Sequence, residues 1–284
     1  MGSLISSVLG HLIISENNKR IPIVDWGYYK CLYTEPDSTL NTFNPWEYFF
    51  QPVADYRLID LSELDDVLYT DGSHPTNIRF PWANSFQNQN IFRNYIKFNE
   101  NTTASLKSGI TVLNINSNTL GVHFRAAKHM RTMTNHPIQP SRSQLKKIID
   151  MELNSGEFTK ILFATDVENE LSYFKKRYGS LLVSFQSERF KKGQDTTPKV
   201  LGNRNHHNYL LGLEVLREAY ALSISGGLIA GYSGVSQLAE VMRLPNTKYR
   251  TYLIDNGRLS HYKIIARYQF KAKSLLPRIM GGFQ

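Results

Sequence analysis

In "TLGVHFRAAKHM" (119–130) an apolar run gives way abruptly to a cationic turn that holds Arg125, Lys128 and His129. An arginine closing a buried run needs an anionic partner or water, and its planar fork suits the paired oxygens of a phosphate. A structural salt bridge meets the same need, so residue type alone leaves both roles open. His123 precedes Arg125 by two positions, and residues two apart on a strand share a face, which sets an imidazole beside a guanidinium. Two other runs end on polar groups: "FATD" (163–166) on Asp166 and "GLIAGYS" (227–233) on Ser233, with Gly234 opening the helical pattern that follows. The first amides of a helix lack partners in the helix and attract anions. Against that stand ordinary N-cap roles for Ser233 and for Asp166, the latter ahead of a helix starting near Glu168.

The elements that must position these residues follow from pattern. From Leu120 onward, strand-length apolar runs alternate with helical ones: "LGVHFR", "SRSQLKKIIDMEL", "KILFATD", "ENELSYFKKRY", "LLVSFQS", "YLLGLEVLREAYALS", "GLIAGYS", "VSQLAEVMR" and "YRTYLID". That alternation predicts βα units around a parallel sheet, where ligands bind beyond the carboxyl ends of the strands. The residues at those ends are Arg125, Asp166, Ser187 and Ser233, and together they describe a nucleotide or phosphate pocket. Before residue 117 the periodicity is weak: an amphipathic first helix in "MGSLISSVLGHLII", a short strand "IPIVDW" (21–26), then aromatic and turn-rich sequence. The change of character divides the chain into an N-terminal domain, 1–117, and a second domain, 118–284. The last stretch, 260–278, reads as a helix with Lys263, Arg267 and Lys271 on one face.

Composition bounds the rest. A chain of 284 residues that is 41% hydrophobic belongs with globular proteins of one or two domains. The single cysteine, Cys31, has no partner for a disulfide within the chain and reads as a packed thiol. No Cys/His cluster and no Asp-x-Asp pair is visible, so no metal site is expected. The N-terminus has no basic n-region and no cleavage site, which points away from a secretory signal and toward a cytoplasmic protein. A net charge of +9 favours anionic partners, yet no recognition helix, RRM-type aromatic platform or zinc finger accompanies it, so nucleic acid is not expected. "GYSGVS" falls short of a hydrolase Gly-x-Ser-x-Gly turn because Val235 occupies the second glycine position.

"GVHFR", "HPI" (136–138), "FATD" and "EVLREAYALSISGGLIAGYSGVSQLAEVM" (214–242) resemble the fucosyltransferase superfamily, which includes rhizobial nodulation-factor and animal core α1,6-fucosyltransferases and the protein O-fucosyltransferases. "IPIVDW" and "NPWEYFFQPV" (44–53) resemble its bacterial members. "MGSLISS" is similar to the start of the family's first helix, so little sequence is expected ahead of it. The resemblance implies an α/β, GT-B fold: two Rossmann-like domains, acceptor side first, with the active site in the cleft between. It implies inverting, metal-independent transfer from GDP-fucose to a glycan, with no cofactor. Carried over by position, Arg125 contacts the donor diphosphate, His123 the nucleotide, Glu218 stands where the family has a nucleotide-binding aspartate, and Ser233 is the phosphate-binding serine. Departures accompany it: Ala126 and Ala127 intervene before Lys128, and "RTMTN" (131–135) offers no carboxylate. The nearest candidate base is then His129, with His136, Asp25 and Glu47 as alternatives. Another nucleotide sugar, or a binding module without catalysis, is the competing reading. Peripheral contact of 260–278 with an anionic membrane at the inner face completes the expectations.

Overall fold

The structure is a computed structural model that describes residues 1–28, 31–63, 66–70, 85–127, 133–191, 202, 204–244, 249–277 and 282–283. Strands β1 (Thr119–Phe124), β2 (Lys160–Thr165), β3 (Leu182–Val183), β4 (Gly227–Gly231) and β5 (Arg250–Ile254) form one sheet in the order β3-β2-β1-β4-β5, and every neighbouring pair is parallel. A parallel sheet needs helical crossovers and is covered on both faces, which explains why its central strands are continuous apolar runs. The crossovers include α4 (Arg142–Asn154), α5 (Glu168–Tyr178), α6 (His207–Ile224) and α7 (Gly234–Met242). Eight of the nine predicted runs from 120 to 255 coincide with one of these elements to within two residues; the ninth, "LLVSFQS", is a strand only at Leu182–Val183, so Ser187 lies four residues beyond the end of β3.

The period of two sorts strand side chains between two cores. Leu120, Val122, Phe124, Ile161, Phe163 and Ile229 pack with Leu145 and Ile149 of α4 and Phe174 of α5. Leu162, Ala164, Leu228 and Ala230 point the other way, toward Leu216 and Leu222 of α6 and Leu238 of α7. That second core continues without a break into the N-terminal part of the chain, taking in Ile5 and Leu9 of α1 (Gly2–Asn17) and the aromatics Trp26, Trp46, Tyr48, Phe49 and Phe50. Trp46 and Phe50 are stacked with centroids 4.3 Å apart, and Trp26 meets Trp46 edge-on at 5.1 Å.

Among the described residues, 1–117 hold three α-helices, α1, α2 (Ser85–Tyr95) and α3 (Glu100–Leu113), a short 3-10 helix at Leu58–Glu63 and isolated bridges, and add no strand to the sheet. The expected strand at 21–26 is not formed. Two of its backbone groups are met instead by one side chain: Asn44 Oδ1 accepts from the Trp26 amide at 3.0 Å, and Asn44 Nδ2 donates to the Val24 carbonyl at 2.8 Å. A strand requires a neighbouring ladder, and Asn44 takes the place of one.

Candidate functional site

In the order β3-β2-β1-β4-β5 the connections run outward in opposite directions from the junction of β1 and β4, so the crevice beyond their carboxyl ends is the place where a ligand fits. His123, next to the end of β1, is paired in register with Ala230 of β4 and is buried. Its Nδ1 lies 3.1 Å from Ser233 Oγ, a contact across 110 positions of sequence. Burial, with the Arg125 charge adding to it, pushes the His123 pKa down to about 3. The imidazole is therefore neutral at physiological pH, a hydrogen-bonding group rather than a charge.

Ser233 is also the N-cap of α7. It forms a capping box with Ser236, accepting from the Ser236 amide at 3.2 Å while its own amide donates to Ser236 Oγ at 3.1 Å. The Gln237 amide reaches the Ser233 carbonyl. Of the orphan amides that open a helix, those of Gly234 and Val235 then remain, among the described residues, for an anion. Helix α1 begins at the same spot: a Cβ built on Gly2 would lie 1.9 Å from the Gly234 carbonyl oxygen, and one on Gly234 would lie 3.1 Å from the Ser3 amide nitrogen. Only a hydrogen at Gly2 allows this approach. Two positive helix ends thus abut, and Arg125, half-buried just past β1, adds a full charge felt at His123 and at the Met1 amino group, which lies 2.5 Å from the Tyr33 hydroxyl.

A second cluster lies beyond β2 and β3. Asp166 is not the N-cap of α5, a position taken by Val167. Its Oδ1 accepts instead from the amides of Ala126 at 2.8 Å and Ala127 at 3.2 Å, so the carboxylate fixes the backbone immediately after Arg125. Among the described residues its Oδ2 is buried without a hydrogen-bond partner. Glu218 of α6 accepts from Ser187 Oγ at 3.1 Å and lies 3.9 Å from Arg189 Nη2. Desolvation outweighs both of these, and with repulsion from Glu214 and Asp166 the Glu218 pKa is pushed up to about 7. Arg189 is buried and spends its donors on the carbonyls of Thr165, Ser187 and Phe185, tying the end of β2 to the chain after β3.

Four of the candidates, His123, Arg125, Ser233 and Gly234, thus meet at the β1–β4 junction. Asp166 and Glu218 stand together beside it. Lys128 and His129 lie outside the described residues. Among the alternative bases, Asp25 Oδ1 is held by the amides of Gly27 and Tyr28, and Glu47 pairs with Arg57 at 4.0 Å. His136 Nδ1 lies 3.0 Å from the Pro137 carbonyl. Sequence reasoning missed Arg189, for which "SFQSERF" gave no cue beyond an arginine after a strand, and Tyr33, brought to Met1 only by the tertiary fold.

No family model matches the chain, and no curated protein matches it in sequence. Among solved structures it is similar to NodZ alpha-1,6-fucosyltransferase co-crystallized with GDP, at 14% identity and TM-score 0.52 over 85% of this chain and 89% of that one. It is also similar to fucosyltransferase NodZ from Bradyrhizobium, at 15% identity and TM-score 0.52 over 85% and 90%. POFUT1 in complex with GDP matches at 13% identity and TM-score 0.52 over 89% of this chain and 94% of that chain. The α/β fold with a parallel sheet expected from the sequence is observed and is similar to that of these fucosyltransferases, whereas a Rossmann-like first domain is not seen among the described residues of 1–117.

Proposed function

We propose that the chain is an inverting, metal-independent glycosyltransferase of GT-B type that moves fucose from GDP-fucose to a hydroxyl of a glycan. The observation that carries this reading is the meeting of the α1 and α7 N-termini with Arg125 at the β1–β4 junction. A diphosphate fits that meeting by charge, and the fold is shared with proteins crystallised with GDP. Residues 1–117 form the acceptor side and 118–284 the donor side, although they share one apolar core.

In the reaction the acceptor oxygen attacks the anomeric carbon from the face opposite the diphosphate. The bond from that carbon to the phosphate oxygen breaks, and its electron pair leaves with GDP. Arg125 and the amides of Gly234 and Val235 take up the charge that develops, a preorganised stabilisation worth most at the transition state. Glu218 accepts N–H donors of the guanine, and neutral His123 hydrogen-bonds the nucleotide while holding Ser233. The acceptor proton passes to a base, a role we assign to His129, whose unperturbed pKa of about 6.5 suits it. Asp166 is a positioning residue for Arg125.

Transfer to water tests the reading without knowledge of the acceptor. With GDP-fucose and excess chelator, proton NMR is expected to show α-fucose as the first product, inverted from the β-linked donor. First appearance of β-fucose, or loss of turnover in chelator with recovery on adding magnesium, would contradict it. GDP-fucose bound but left intact would favour a binding module.

A further inference from the structure

We propose that α8 (Lys263–Leu275) is a docking surface for an anionic lipid bilayer. The helix is held to the body along a single edge, where Ala266 and Phe270 pack with Ile138, Leu259 and Phe283. Successive residues of a helix turn by about 100°, which puts Ile264, Tyr268 and Leu275 together on the side facing away from that edge. They are 77%, 60% and 68% exposed, where a helix packed on a globular body ordinarily turns polar groups outward. Lys263, Arg267 and Lys271 form a stripe along one flank of the same face, and all three are exposed. Beyond Asp255 the chain has six Lys or Arg and no Asp or Glu side chain, so the segment is strongly basic.

An outward apolar face flanked by cations fits one kind of occupant, a surface that is apolar beneath and anionic above. Amphipathic helices lie in the headgroup region of a bilayer in this way, and each basic residue near an anionic surface strengthens the attraction. Among the described residues no helix is long and apolar enough to cross a membrane, so the contact is peripheral.

Flotation with vesicles of phosphatidylcholine and phosphatidylglycerol tests this. At low salt the chain should float with these vesicles and not with phosphatidylcholine alone. Replacing Lys263, Arg267 and Lys271 by serine should lower partitioning about five-fold per residue, roughly a hundred-fold together. The double substitution Ile264→Ser, Tyr268→Ser should also release the protein. Serine at Lys147, Lys175 and Lys176, exposed residues elsewhere that remove the same charge, should leave binding unchanged. A protein that stays soluble at low salt would overturn the proposal. So would an equal effect of the two lysine sets, or a dimer in solution that dissociates on Ile264→Ser.

Discussion

Replacing Arg125 by alanine is expected to reduce turnover by about 10²–10³ while the protein still folds. The reduction follows from where the charge stands. Arg125 stands just past the central strand beside two helix N-termini, and Asp166 holds the amides of Ala126 and Ala127 that follow it. Asp166 keeps these two bonds in the variant, so loss of the guanidinium is expected to remove charge from the leaving group while the Ala126–Ala127 backbone stays in place. Arg125→Lys should recover part of the loss, because an ammonium supplies the charge without the bidentate fork. Circular dichroism and a melting curve close to the parent's, alongside the lost turnover, would establish the role. A folded Arg125→Ala protein with full activity would remove Arg125 from the mechanism.

GDP affinity is expected to fall about ten-fold for each pH unit below 7, and to be flat above 8, through Glu218. Its pKa stands near 7 because burial outweighs Arg189 and Ser187. Binding the N–H donors of a guanine requires the carboxylate, so below pH 7 each bound GDP must first displace a proton. Glu218→Gln should weaken binding at pH 8 and abolish the pH dependence. The same group gives a stability signature of opposite sense. A carboxyl whose pKa rises from 4.5 to about 7 on folding contributes stability that is complete below pH 4.5 and lost as pH rises through 7. The cost of ionising it amounts to about 3 kcal/mol at pH 8. Glu218→Gln should accordingly melt above the parent at pH 8 and with it at pH 4. A slope in GDP affinity that survives Glu218→Gln would assign the titration to another group.

The half of the fold that positions the site was legible because parallel strands buried on both faces leave short, bounded apolar runs such as "KILFAT" and "GLIAG". Arg125 and Ser233 stood out as polar ends of those runs, and the sheet order brings them to one crevice. The N-terminal part was not legible in the same way. "IPIVDW" has the composition of a strand, but whether a run pairs depends on a neighbour, and here Asn44 supplies the hydrogen bonds. The aromatic core around Trp46 and Phe50 has no period to detect, since its residues lie in irregular chain. Asp166 was recognised as a strand-end carboxylate, yet its tie to Ala126 and Ala127, 40 and 39 positions away, is a product of strand pairing that no local pattern carries.

The central claim is that the β1–β4 junction holds the diphosphate of a guanine nucleotide, and calorimetric titration with GDP, GDP-fucose, UDP and CMP tests it most directly. GDP and GDP-fucose should bind, and at about 100 times the dissociation constant either should stabilise the fold by about 2.7 kcal/mol. Arg125→Ala should weaken both. UDP or CMP binding in the absence of any response to GDP would contradict the assignment of the donor, and silence from all four nucleotides would contradict the site itself.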